Sequence, residues 1–410
     1  MESDIVPSSH STAQRYGAID GIRGWMSFVV LLHHCYLFLV LTALRYDSPW
    51  LHFVTAGHFA VLVFFVLSGF ALSVGFLQTA DAAVLKHLAL RRYPRLAVPM
   101  LASCVLAYGL MKFGLMANSK AAILTNDPAW LGSFYNFEPS FLRMLRFAGL
   151  DAFVRYSAAE TYNPNLWTMS TELIGSFVVF ASLLLSPPRL IAAVQILLGA
   201  VFLYLVSWYF CFACGTLLAV FALSDWRARA RRVRWWGVSP LAALSLLASV
   251  AAVAYITFRP PPAVLERLHL DSESVEMTAA AVFVFGCLNV DIVRKLFESR
   301  LSQFMGRISF PLYLVQIPLI CSFSSLLYLA FVERHWPLFE ACAVTIAFTI
   351  ALALLVSIFF LPIERAAIRT ARSFSVRLLR GSNPVPADAD PVGCSGERGD
   401  HATPKTPSTA

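Results

Sequence analysis

Apolar residues fall in ten long runs, at roughly 25–44, 58–77, 96–116, 166–186, 190–206, 208–223, 238–258, 276–293, 307–331 and 339–362. A helix crosses the hydrocarbon of a bilayer with about 20 mostly apolar residues. Most of the runs meet that length; 190–206, 208–223 and 276–293 are short. The pattern predicts an all-α polytopic membrane protein with about ten transmembrane helices. Its longest connection, 117–165, is polar and aromatic, with Asn126, Asp127, Pro128 and Trp130. It is expected either to fold back into the membrane or to cap one side.

Charge settles the expected orientation. Lys and Arg alternate between the ends of the runs, and 23 of the 32 fall on one side. They include Arg15, Arg23, Lys86, Arg91, Arg92, Arg95 and Arg189, then clusters at 224–237 and 294–307 and the C-terminal segment. Basic loops face the cytoplasm, so both termini are expected there. Segment 1–15 reads as a polar N-terminus without a cleavable signal, and 16–365 as one membrane domain. Segment 366–380 is basic and juxtamembrane; with Arg365 it spaces arginines among apolar residues, either as a helix lying on anionic lipid or as a plain cytoplasmic stop. Segment 381–410 has almost no apolar residue and is expected to be disordered.

Composition agrees with a membrane protein: 58% of the 410 residues are apolar and only 14% are charged. That is too little charge to cover a soluble globule. The net charge of +8 does not point to nucleic acid, because the basic residues are scattered between apolar runs rather than gathered on one face. Cys211 and Cys214 form a CxxC inside an apolar run, where cysteines pack as small hydrophobes. No metal is expected.

Polar groups inside apolar runs are costly and mark functional sites. Four constellations qualify. Asp20 and Arg23 precede the first run, and His33 and His34 lie within it; His34 is eleven residues, about 16 Å, beyond Arg23. An imidazole is the ionisable group that exchanges a proton near neutral pH; the alternative is a packing histidine. Ser68 and Gly69 in the second run suit close helix approach. Arg92 and Arg95, with Arg91, share a helix face; they either bind a polyphosphate or anchor to headgroups. Glu172 is the one acidic residue in its run, close behind Trp167. A smaller polar set, Ser309, Tyr313 and Gln316, lies in the ninth run.

Five of these segments, in order, resemble the integral membrane acyltransferase family 3. Ile19-Asp20-Gly21-Ile22-Arg23-Gly24, followed by His34, is similar to the family's LDGLRG and its downstream histidine. FFVLSGF stands unchanged at 64–70. Arg91, Arg92, Arg95 and Pro99 match RRxxRxxxP, and 166–172 matches LWSLxxE through Glu172. Residues 309–316 are similar to SYxLYLxH, but end in Gln316 where the family has histidine. Leu62 and Val63 stand where an acidic residue often precedes FFVLSGF.

The resemblance covers about 16–365. It implies an O-acyltransferase of a bacterial inner or plasma membrane, using cytoplasmic acetyl-CoA or another acyl-CoA. The acceptor would be a hydroxyl of a glycan, glycolipid or lipid, as in polysaccharide or lipopolysaccharide O-acetylation. In this reading Arg23, Arg91, Arg92 and Arg95 hold the donor, and His34 is general base or transient acyl carrier. Glu172 orients the imidazole or the acceptor, and Asp20 holds Arg23 or His33. Trp167, Ser309, Tyr313 and Gln316 line the substrate. The competing readings are a transporter or exporter of a glycan or lipid precursor and a non-catalytic scaffold.

Overall fold

The structure is a computed structural model that describes residues 16–224, 240–258 and 271–379. The segments 1–15 and 381–410, the arginines between 227 and 234, and Arg380 lie outside the described residues. The described chain is helical, and no strand occurs in it.

Each of the ten apolar runs falls on a helix. Helix α1 (Gly17–Cys35) continues as wide π turns over Tyr36–Ala43. The short α2 (Pro49–Val54) leads into α3 (Gly57–Thr79), followed by α4 (Ala82–Lys112). The connection after α4 carries α5 (Asn118–Thr125) and α6 (Phe141–Arg146). Then come α7 (Met169–Leu185), α8 (Ile191–Tyr204), α9 (Tyr209–Leu223) and α10 (Pro240–Phe258). The remaining helices are α11 (Ser272–Asn289), α12 (Asp291–Phe297), α13 (Arg300–Leu319), α14 (Ser325–Glu333) and α15 (Leu338–Leu378).

Among the described residues, six helical stretches are long and apolar enough to cross a membrane. The pair α11 and α12, bent by 93° at its break, makes a seventh when taken as one broken span. Pro188–Tyr204, Tyr209–Leu223 and Pro240–Tyr255 are shorter. At 1.5 Å per residue, the 14 residues of α8 reach only about 21 Å, against a hydrocarbon thickness of about 30 Å. Length therefore separates α8 and α9 from the six, whereas α10, with 19 residues, reaches about 28 Å.

Helix α15 supplies a ruler. Its uncharged stretch 341–363 lies between Glu340 and Glu364 and is roughly 35 Å long, close to the hydrocarbon thickness. Glu364 is the first charge after this stretch, at the level where its length places one edge of the hydrocarbon. The end of the bundle that carries it also carries Arg23, Arg95 and Arg307, and is termed the basic end below.

With lipid outside, helix contacts depend on close fit and hydrogen bonding rather than on water release. Parallel α1 and α13 keep one register over their length. Gly24 meets the backbone at Gly306, Ser27 Oγ donates to the carbonyl of Ser309 (2.8 Å), and His34 Nδ1 faces Gln316 Oε1 (3.2 Å). On the other side, α3 and α9 touch through glycines. A Cβ on Gly69 would stand 2.2 Å from the carbonyl oxygen of Phe212, and one on Gly215 would stand 2.0 Å from that of Val66. FFVLSGF is therefore a helix-contact sequence, as its small residues predict.

The connection after α4 folds back against the bundle. Proline explains where it is pinned. Pro318 in α13 has no N–H, which frees the carbonyl of Leu314 four residues earlier. Asn163 Nδ2 donates to that carbonyl (2.8 Å) and to Ser103 Oγ (3.0 Å). Asn165 Nδ2 donates to the carbonyl of Tyr313 (2.6 Å), and Tyr313 Oη donates back to that of Asn165 (2.8 Å). These buried polar groups satisfy one another, as an apolar surrounding requires.

Candidate functional site

A cavity of about 1430 Å³, its open mouth included, lies between α1, α3, α4, α7, α13 and α15 at the basic end. Four arginines line it: Arg23, Arg92, Arg95 and Arg307. Asp20, Glu172 and Glu364 are the acids. Burying that many charges costs solvation energy, so their pairing decides what each can do.

Arg92 and Glu172 form an ion pair through Nη2 and Oε1, with side chains only 10% and 13% exposed. The same carboxylate oxygen accepts from Ser68 Oγ at 2.5 Å. Arg92 Nε donates to Ser176 Oγ (2.7 Å), which donates to the carbonyl of Glu172 (2.6 Å). Arg92 is thus committed to holding Glu172. The side chains of Arg23 and Arg95 make no hydrogen bond or ion pair among the described residues; they face the cavity, where the carboxylates of Asp20 and Glu364 act on their charge.

The inner end of the cavity is closed by Phe64 and Tyr313, whose ring centroids are 6.2 Å apart at 67°. Tyr313 is tied to Thr168, with hydroxyls 2.9 Å apart. Gln316 lies one turn further along α13, about 4.5 Å on the helix axis. It faces His34, so the cavity stops one turn short of this histidine.

The surroundings of His34 fix its tautomer. Gln316 Nε2 donates to the carbonyl of Tyr313 (3.3 Å), which turns Oε1 toward His34. An amide oxygen only accepts, so Nδ1 carries the proton and Nε2 keeps the lone pair. The other face of the ring stacks on Trp130 from the folded-back connection, at 5.7 Å and 24°. His33 is anchored differently: its Nδ1 meets the carbonyl of Thr55 at 2.8 Å, and its ring sits where a Cβ on Gly57 would fall. The two adjacent histidines therefore have different environments.

Several sequence expectations land elsewhere. Arg91 points to Ser375 on α15 (Nε to Oγ, 2.9 Å) and does not line the cavity. Trp167 packs edge-on against Trp208 (5.2 Å) rather than facing the cavity. Glu172 meets Arg92 and Ser68 instead of His34. Asp20 lines the cavity with Arg23, whereas His33 is held by Thr55. Ser309 and Tyr313 line the cavity, and Gln316 meets His34. Residues passed over in the sequence also belong here. Glu364, the first charge after the last apolar run, was visible by position. In the sequence Phe64 stands only as part of FFVLSGF, and Trp130 only as part of the polar and aromatic connection, not as site residues.

Comparison with known families decides the class. The sequence matches the acyltransferase domain of family 3 over residues 16–358. The chain belongs to this acyltransferase family. No curated protein and no solved structure matches it. The match spans the cavity from Asp20 through Tyr313, along with His34 and Gln316; Glu364 lies just beyond it. Family and apolar helices together make the chain a multi-pass membrane acyltransferase.

Proposed function

We propose that the protein moves an acyl group, acetyl in the first instance, from cytoplasmic acyl-CoA to a hydroxyl of a glycan or glycolipid in a bacterial inner membrane. The observation that carries this reading is the arginine-lined cavity ending one turn short of His34. Its basic end is taken as cytoplasmic, with both termini there, because most arginines gather at it. The CoA phosphates lie against Arg23 and Arg95, with Arg307 at the rim. The pantetheine arm runs inward past Ser68, Glu172 and Ser309, and the thioester reaches the Phe64–Tyr313 ring pair. Those rings part to admit it.

His34 Nε2, kept unprotonated by the Gln316 contact at Nδ1, removes the proton of the acceptor hydroxyl. The hydroxyl oxygen attacks the thioester carbonyl, and the C–S bond breaks as the C–O bond stays. The imidazolium returns the proton to the departing thiolate, giving free CoA-SH and the O-acyl ester. In this scheme Gln316 does not carry a proton. It sets the tautomer, which a neutral histidine at that position also does through one ring nitrogen.

The test is acyl transfer by the purified protein in liposomes, from labelled acetyl-CoA to isolated cell envelopes. Transfer that requires both CoA consumption and His34 supports the reading. Movement of a glycan precursor across the liposome without CoA consumption replaces it with the transporter.

A further inference from the structure

A second cavity lies in the connection between α4 and α7, and shares no residue with the first. It has about 700 Å³ of unfilled space, its mouth included, and is lined by Arg143, Arg146 and Arg155 together with Asp151 and Glu160. Phe147 and Tyr162 form its apolar wall. The three arginines belong to the nine basic residues that fall outside the basic-end count. They are not needed for orientation, yet they converge on one cavity.

Their pairing leaves charge over. Arg146 Nε meets Asp151 Oδ1 at 3.3 Å with its side chain 63% exposed. Arg143 Nη2 donates to the carbonyl of Glu138 (3.0 Å). Arg155 is exposed, and although its backbone N–H donates to the carbonyl of Asp151 (2.7 Å), its side chain makes no hydrogen bond or ion pair among the described residues. Three guanidiniums face two carboxylates, so one positive charge is uncompensated.

Beside the cavity the chain presents an apolar face. Leu142, Leu150 and Val154 are 75%, 53% and 67% exposed, and Phe141 is 52% exposed. This stretch lies along α4, from Phe141 on Tyr108 (5.9 Å) to the carbonyl of Gly149, which accepts from Tyr93 Oη (2.5 Å). In a membrane protein such a face contacts acyl chains.

We propose that this cavity binds the headgroup phosphate of an anionic phospholipid, whose acyl chains lie along the Leu142–Val154 face. A phosphodiester carries one negative charge, matching the surplus, and its oxygens suit the forked donors of arginine. The site does not depend on the donor reading above.

The experiment is native mass spectrometry of the full chain in detergent, titrated with dioleoyl phosphatidylglycerol. The soluble headgroup glycerophosphoglycerol serves as competitor. The triple variant Arg143→Gln, Arg146→Gln, Arg155→Gln should retain at least fivefold less lipid, and Arg155→Gln alone about twofold less. Arg189→Gln, an exposed arginine elsewhere, should retain as much as the parent, and the soluble headgroup should compete weakly. Equal retention by the triple variant overturns the site. Competition by the headgroup as strong as by the lipid overturns the lipid assignment. Should the triple variant aggregate, unchanged retention by Arg155→Gln decides against the site.

Discussion

Replacing Arg92 with Met tests the buried network that shapes the donor cavity. The substitution removes the cation from Glu172 and leaves its carboxylate with only the Ser68 hydroxyl, at a place where the side chain is 13% exposed. Breaking one partner of a buried pair costs about 3–5 kcal/mol, because the remaining charge loses its compensation. Glu172→Leu should cost a similar amount, with Arg92 left to Ser176 alone. The double variant Arg92→Met, Glu172→Leu leaves no charge stranded. The Ser176 bond to the residue-172 carbonyl survives, and only the Ser68 hydroxyl loses its acceptor, so the loss falls to about 1–2 kcal/mol. The four proteins form a cycle whose coupling energy, on these figures, is at least about 4 kcal/mol. Unfolding in mixed micelles with rising SDS, followed by tryptophan fluorescence, measures it. Losses below about 1 kcal/mol for each single variant, or simple addition in the double, would refute the pairing and mean that water screens both groups.

Three further outcomes follow from the packing and the site. Gly69→Val places branched carbons against the Phe212 carbonyl and should lower stability by about 3 kcal/mol; Gly109→Ala, with nothing within 4 Å of the added carbon, should be neutral or slightly stabilising in the same SDS unfolding assay. Gln316→Leu removes the acceptor at His34 Nδ1, a bond of about 1 kcal/mol. It should slow turnover about tenfold with CoA affinity unchanged, and Gln316→His should restore most of the rate; a KM change at constant kcat would place Gln316 in binding instead. Phe64→Ala opens the inner end of the cavity and should raise acceptor-independent release of CoA thiol from acetyl-CoA several-fold, and an unchanged background would show that the ring pair does not keep water out.

The helical membrane architecture was legible because apolar runs and basic clusters are local signals. Each run lies on a helix, but whether a 14-residue helix such as α8 crosses depends on tilt and neighbours, which periodicity does not encode. The site was legible in part. Arg23, Arg95 and His34 stand out because charge and imidazole are costly within apolar sequence. Their partners do not, since partnership is set across the fold. Glu172 is drawn to Arg92, 80 residues away in sequence, and His34 to Gln316, 282 residues away. Arg91 and Arg92 are adjacent, yet the helix turn sends one to Ser375 and the other to Glu172. The role of the folded-back connection depends on a proline in another helix freeing a carbonyl for Asn163, a relation visible only once the helices are packed.

The most direct test of the central claim is CoA-thiol release and acyl labelling of cell envelopes from acetyl-CoA, compared between the parent protein and His34→Ala under saturating donor. The account predicts that His34→Ala binds CoA as the parent does, through Arg23 and Arg95, while its transfer rate falls by about 10²–10⁴-fold. Transfer by His34→Ala at the parental rate would contradict it.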